Sequence, residues 1–324
     1  MKRSLRAFVI GSIAATLALG GPAAGLAAEK IKLLISTRGP LDLFIPNQAE
    51  GEGYFKAEDL DVEITYAQGG AETAQALATG AADISVGVGI QSVIAAYGKG
   101  APLRIIANGK LGGGEIFWFV KKDSPIKTLK DLDGKVLVYS RPGSTTHLIA
   151  QTLVRMSGVK ARLVSVGGMA SSRTQVMSGQ VDTGWGSFPN NMDVVQKGEA
   201  RVVVTGAEAT ELNDFAMRVT AANATFLKNR RDVAVRFMRA YHKAMVWQIN
   251  NPGPAIKRWT EAEKLDLELA MQAPKYFPPE TMRLAPIGNL EGNIKLAVEA
   301  KMLAQPLSEA QKKELVDIVY DPGK

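Results

Sequence analysis

The residue types best suited to chemistry gather in YSRPGSTTHLIA, residues 139–150. Arg141 precedes a turn made by Pro142 and Gly143. Ser144, Thr145, Thr146 and His147 follow, ahead of a run with helical apolar spacing. A strand entering a helix through such a loop leaves free backbone N–H groups at the loop's tip. That geometry suits a sulfonate, carboxylate, nitrate or phosphate. Ser144 and Thr145 add hydroxyl donors, although either can simply cap its own helix, which is worth about 1 kcal/mol. His147 falls in the first helical turn and reads as a packed or surface histidine before it reads as a ligand.

Other candidates sit at comparable places. Arg38, Arg141 and Arg173 each occupy a predicted strand end or early helix. There a guanidinium either grips an oxyanion with two parallel hydrogen bonds or remains a solvated rim charge. Glu72 follows Gly69-Gly70; it either complements a helix dipole or supplies a counter-charge for an amine, as in an aminosulfonate. Trp185 can stack on a ring or wall off an alkyl chain, and core packing is the competing reading. Gln91, Trp118 and Phe188 belong to the same group.

No catalytic constellation accompanies them. The chain has no G-x-S-x-G elbow and no H-E-x-x-H, and its two histidines, His147 and His242, are expected in different lobes. SPIK, 124–127, matches S-x-x-K by letters, but no S-D-N or K-T-G completes the set. Asp83 and Asp182 resemble a carboxylate pair, yet both stand at the starts of predicted strands and read as turn-stabilising residues.

The elements that must position these residues form a pattern that occurs twice. IKLLISTRG, VEITYAQGG, AETAQALATG and AADISVGVG are answered by GKVLVYSRPG, ARLVSVGG, MASSRTQVMSG and QVDTGWGS, at an offset of about 98 to 104 residues. The apolar β-branched runs predict buried parallel strands. Gly80 and Gly179 fit helix-terminating positions with positive φ. Parallel strands need crossover helices, so each copy is strand–helix–strand–helix–strand, and the offset is far too long for a solenoid. Residues 230–250 predict a long helix with Asn229 as N-cap and Val233, Phe237, Tyr241 and Met245 on a core stripe. NPGP, 251–254, ends it. The remaining helices, with Ser308 and Gln311 in capping-box spacing, are expected to pack back on the first lobe.

The bulk numbers bound the setting. The chain has 324 residues, enough for about two domains. Its start combines Lys2, Arg3 and Arg6, an apolar stretch from Ala7 to Leu19 and small residues up to Ala27, the pattern of a secretory signal peptide. The apolar run is shorter than the ~20 residues a membrane span needs. With no cysteine, the chain has no disulfide, no thiolate and no lipid-accepting Cys, so the expected location is a Gram-negative periplasm, without an anchor. Of the net charge of +7, the three N-terminal basic residues carry +3. The modest excess left shows no basic run, so nucleic acid is an unexpected partner.

At this point the motifs resemble a known family. GYFKAEDLDVEITYAQGGAETAQALATGAADISVG, KTLKDLDGKVLVYSRPGSTTH and GQVDTGWGSFPN together resemble the substrate-binding proteins of nitrate/sulfonate/taurine-type ABC importers. The chain departs from the family's EGL with Glu58-Asp59-Leu60. The resemblance implies an α/β, two-lobe periplasmic binding protein fold of type II-like form, each lobe a mostly parallel sheet flanked by helices, with a hinge of two crossing segments. The expected division is signal peptide 1–27, lobe 1 over 28–118 and 219–324, and lobe 2 over 119–218. It implies a monomeric receptor with a membrane ABC permease and its ATPase as partners and no cofactor, binding a small anion such as a sulfonate, taurine-like compound or carboxylate. The alternatives are a neutral or phosphorylated heterocycle, such as the pyrimidine precursor of thiamine that the wider superfamily binds, a secreted enzyme, and a sensory role. The superfamily's pyrimidine-synthase branch carries a cysteine-rich motif that this chain lacks. Ligands in open α/β sheets sit beyond the strands' carboxyl ends. This places Thr37, Arg38, Gly70, Glu72, Gly89 and Gln91 in the first lobe, and Arg141, Gly143, Ser144, Thr145, Gly168, Trp185 and Ser187 in the second, as candidate ligand contacts.

Overall fold

The computed structural model describes residues 28–324; the signal-peptide reading falls on residues outside that range. In chain order, the first lobe runs β1 (Glu29–Ile35), α1 (Ile45–Gly51), β2 (Leu60–Tyr66), α2 (Gly70–Thr79), β3 (Ile84–Gly89), α3 (Ile90–Gly98) and β4 (Leu103–Leu111). The second contains β5 (Ile116–Lys121), β6 (Val136–Tyr139), α4 (Thr145–Ser157), β7 (Arg162–Ser165), α5 (Met169–Met177), β8 (Gly184–Ser187), α6 (Met192–Gln196) and β9 (Ala200–Thr205). The chain then returns through β10 (Ala216–Asn223) to α7 (Ala224–Asn229), α8 (Arg231–Asn250), α9 (Pro252–Glu263), α10 (Leu267–Ala270), α11 (Leu290–Glu299) and α12 (Glu309–Leu315).

The first sheet has the order β2-β1-β3-β10-β4. Strands β1, β2 and β3 pair in parallel, as their crossover helices require, whereas β10 arrives from the other lobe and runs antiparallel to both β3 and β4. The second lobe repeats the division: β6 and β7 pair in parallel, and β5 runs antiparallel to β8 and β9. The parallel character expected of each lobe therefore holds for β1, β2 and β3 in the first, whereas in the second only β6 and β7 pair in parallel and β8 joins β5 and β9 in a separate antiparallel sheet. Strand β5 pairs with β8 and β9, and β10 with β3 and β4.

Side chains hold the repeat together at equivalent points. Asp83 Oδ2 accepts the Lys32 N–H at 2.8 Å, and Asp182 Oδ2 accepts the Val136 N–H at 2.8 Å. Thr183 Oγ1 accepts from Val138 N at 3.1 Å and donates to Val136 O at 3.0 Å, so side chains replace the ladder between β6 and the start of β8. Both aspartates lie at the strand starts, away from the carboxyl ends. Asp59, where the family's EGL has glycine, adopts the left-handed conformation at φ 53°, which a short polar side chain tolerates.

The core lies on both faces of the first sheet. Val233, Phe237, Tyr241 and Met245 of α8 pack on one face with Leu33, Ile35 and Val86, while α2 and α3 cover the other. Asn229 ends α7 and leaves α8 without a side-chain cap; Asn223 caps α7 instead, accepting from Thr225 N and Phe226 N. The expectation that all the later helices return to the first lobe needs correction. Ile256 and Trp259 of α9, with Leu269, Ala270 and Phe277, pack against Phe117, Phe119, Phe188 and Val194 of the second. Pro252 therefore starts a new helix, and that helix presses its apolar face on the second lobe.

Candidate functional site

The carboxyl ends of β1, β2, β3, β6, β7 and β8 converge on one cleft between the lobes, with about 930 Å³ of free space, open solvent included. Ser36 and Thr37 come from the loop after β1. Gln68, Gly69 and Gly70 follow β2, and Gly87, Gly89 and Ser92 come from β3 and the start of α3. The second lobe adds Ser140, Arg141, Ser144, Thr145 and Thr146 after β6, Gly168 and Met169 after β7, and Trp185 and Ser187 from β8.

Four helices begin at this cleft. Helices α2, α3, α4 and α5 have Gly69, Gly89, Ser144 and Gly168 as N-caps, and all four caps line it. Three of the caps are glycines with no side chain to satisfy the first-turn N–H groups, so positive helix ends and open donors face the same space. A Cβ on Gly70 would lie 2.9 Å from Ser92 Oγ, so glycine there lets the starts of α2 and α3 approach. Ser144 does cap its own helix, accepting from His147 N at 3.2 Å. It also joins Ser140 and Thr146 in a triangle of hydroxyls with edges of 2.8, 2.8 and 2.9 Å. Ser187 Oγ is buried and has no partner among the described residues. It is a donor left for a ligand or a water.

The loop's shape rests on His147. Its Nδ1 accepts the Gly143 N–H at 3.2 Å and its ring stacks on Tyr139 at 4.2 Å between centroids. Burial pushes its imidazole below the ordinary value of 6.5, which suits an unprotonated Nδ1.

Beneath the cleft lies a buried charge cluster centred on Arg218 of β10, which also lines it. Arg218 donates to Asp42 Oδ2 at 2.5 Å and lies 2.8 Å from Glu115 Oε1; Lys110 Nζ donates to Glu115 Oε2 at 2.6 Å. Burial pushes the Glu115 carboxyl up, but Lys110 and Arg218 outweigh it and hold it below the usual carboxylate range. Two cations face two carboxylates in this floor, and burial pushes the Asp42 carboxyl up from its ordinary value against the pull of Arg218.

Of the expected contacts, Thr37, Gly70, Gly89, Arg141, Ser144, Thr145, Gly168, Trp185 and Ser187 line the cleft, and Arg38, Glu72, Gln91 and Gly143 do not. Arg38 turns outward to Glu263, its Nε 3.1 Å from Oε2, over the Tyr66 ring. Glu72 Oε2 accepts the Gln68 N–H at 2.9 Å, and Gln91 donates to Asn293. Gly143 serves the turn at φ +75°, where a Cβ would meet Met302. Arg173 pairs with Asp193, and Phe188 and Trp118 are core. Arg218 is the principal residue that sequence reasoning missed. Among the described residues there is no cluster of three or more His, Cys, Asp or Glu side chains placed for a metal, and no helix long and apolar enough to cross a membrane.

Comparison with known proteins agrees with this architecture. The chain is 24% identical to YtlA of Bacillus subtilis (strain 168) over 208 residues, which cover 63% of this chain and 61% of that protein. It thus spans less than two thirds of the curated relative it matches. Its fold is similar to that of the periplasmic aliphatic sulphonate binding protein SsuA from Escherichia coli, at a TM-score of 0.71 and 18% identity over 87% of this chain and 91% of that one. It is also similar to the Candida albicans CA3427 gene product, which exhibits the generic periplasmic binding protein fold, at a TM-score of 0.72 and 16% identity over 89% and 95%. The fold is that of periplasmic binding proteins. The family model described as NMT1/THI5 like matches residues 48–255, well over half of the chain, and the chain belongs to that family.

Proposed function

We propose that the protein is a periplasmic solute receptor of an ABC importer. It would hold a small organic anion between its lobes and deliver it to a membrane permease. The observation that carries this reading is the convergence of α2, α3, α4 and α5 on the cleft, each presenting its N-terminus. Backbone donors and positive dipole ends of this kind favour an oxyanion, and the buried Ser187 hydroxyl, unpartnered among the described residues, extends the donor set. The sulphonate named for the Escherichia coli neighbour has the same chemistry. Against an enzymatic role, the lining holds, among the described residues, no histidine, cysteine or carboxylate that could serve as nucleophile or general base.

A thermal-shift panel tests the reading. Alkanesulfonates, taurine, nitrate, aromatic carboxylates and a pyrimidine are the probes. One organic anion should stabilise the protein saturably, by ~2.7 kcal/mol at a hundredfold excess over its Kd. A melt moved only by uncharged heterocycles, or turnover of any probe, would count against it.

A further inference from the structure

The charges around the cleft are one-sided. Among the described residues its lining holds Arg141 and Arg218 and no aspartate or glutamate. The acidic groups nearby are committed elsewhere. Asp42 Oδ2 accepts from Arg218, Glu115 Oε2 accepts from Lys110 while its Oε1 lies 2.8 Å from Arg218, and the remaining Asp42 oxygen is buried without a hydrogen-bond partner among the described residues. Glu72, the residue the sequence offered as an amine's counter-charge, is held outside by the Gln68 N–H. Glu263 is occupied by Arg38.

Beside the donors the lining carries apolar groups, Ile116, Pro142, Met169 and Trp185. The Trp185 N–H is spent on Gly167 O at 3.2 Å, so the indole offers its ring. A ring face attracts cations. That attraction is opposed by four positive helix ends and by the cost of desolvating an ammonium with no carboxylate beside it.

Resting on the anion reading, we infer that the cleft excludes ligands bearing an ammonium group and takes organic acids with one oxyanion head and an uncharged tail. The taurine-like alternative is therefore rejected by charge, since size and head group are the same. Met169 is the position where this selectivity can be reversed. It is the first residue of α5 and lines the cleft, so a glutamate there suits the helix dipole while placing a carboxylate in the lining.

The test is isothermal titration of the full chain, wild type and Met169→Glu, with ethanesulfonate and taurine, and with propionate and β-alanine as a second matched pair. Wild type should prefer the amine-free member of whichever pair binds by at least about tenfold, and Met169→Glu should narrow that ratio by about the same factor through a gain for the amine. Should the variant fail to fold, the wild-type ratio decides alone. Taurine or β-alanine binding within twofold of its partner would overturn the exclusion and leave the anion reading standing. Binding of an uncharged pyrimidine with none of the four acids would overturn both.

Discussion

His147 shows how one side chain sets the shape of the site without lining it. Its Nδ1 takes the Gly143 N–H and its ring leans on Tyr139, which pins the turn that carries Arg141 and Ser144. Burial lowers its proton affinity in the fold, so the unfolded chain binds the proton more readily. Stability from this group is therefore complete above the ordinary value of 6.5 and is lost as pH falls below it. The melting temperature should drop between pH 7.5 and pH 5.5, and His147→Gln should shrink that drop. His242 is lowered by burial as well and retains its share in the variant. An identical pH dependence in wild type and variant would remove His147 from the account. Arg218 makes the complementary point. Neutralised from below by Asp42 and Glu115, it gives the floor polarity without a full free charge, and Arg141, exposed at the rim, is the lining cation that forms no ion pair among the described residues.

At the scale of elements, the site is a set of helix starts whose caps do different jobs. Gly69 has φ 137° and ψ 174°, a conformation that side chains avoid, whereas Gly168 has φ −70° and open space around its Cβ position. Gly69→Ala should cost about 1–3 kcal/mol of stability by forcing that backbone to shift. Gly168→Ala should stay within about 0.5 kcal/mol. Urea denaturation of the two variants checks the difference, and equal losses would contradict this distinction between the caps. Helix α9 ties the two lobes. The Trp259 indole N–H donates to Gly39 O at 2.8 Å, Arg258 pairs with Glu52, and the Trp259 ring lies 6.4 Å from that of Phe188. It thus fastens the loop after β1, which contributes Ser36 and Thr37 to the cleft, and the segment just after β8, whose Trp185 and Ser187 line it. Asn190 Nδ2 reaches Arg38 O at 3.4 Å beside it, so the lobes also touch directly on this side.

At the scale of the molecule, the double pattern of strand, glycine pair and helix was readable from the sequence because each copy buries its own apolar strands. It located all six loops that meet at the cleft. Within those loops the choice of residue was less legible. Arg38, Glu72 and Gln91 have suitable addresses, but a loop position does not say whether a side chain faces the cleft or a distant partner, and Glu263, the Gln68 N–H and Asn293 decide that. Arg218 was hidden for another reason. FAMRVTAAN reads as a plain buried strand, and only the antiparallel return of β10 between β3 and β4 sets its arginine under the site. The reach of α9 to the second lobe was hidden in the same way, since an amphipathic helix does not declare which lobe its apolar face meets. The whole arrangement predicts a receptor built around an anion's head. Mass spectrometry of natively purified, never-refolded protein, before and after denaturation, tests this most directly. The account predicts release of an organic molecule carrying an oxyanion and no amine, and release of an amine or an uncharged heterocycle from the folded protein would contradict it.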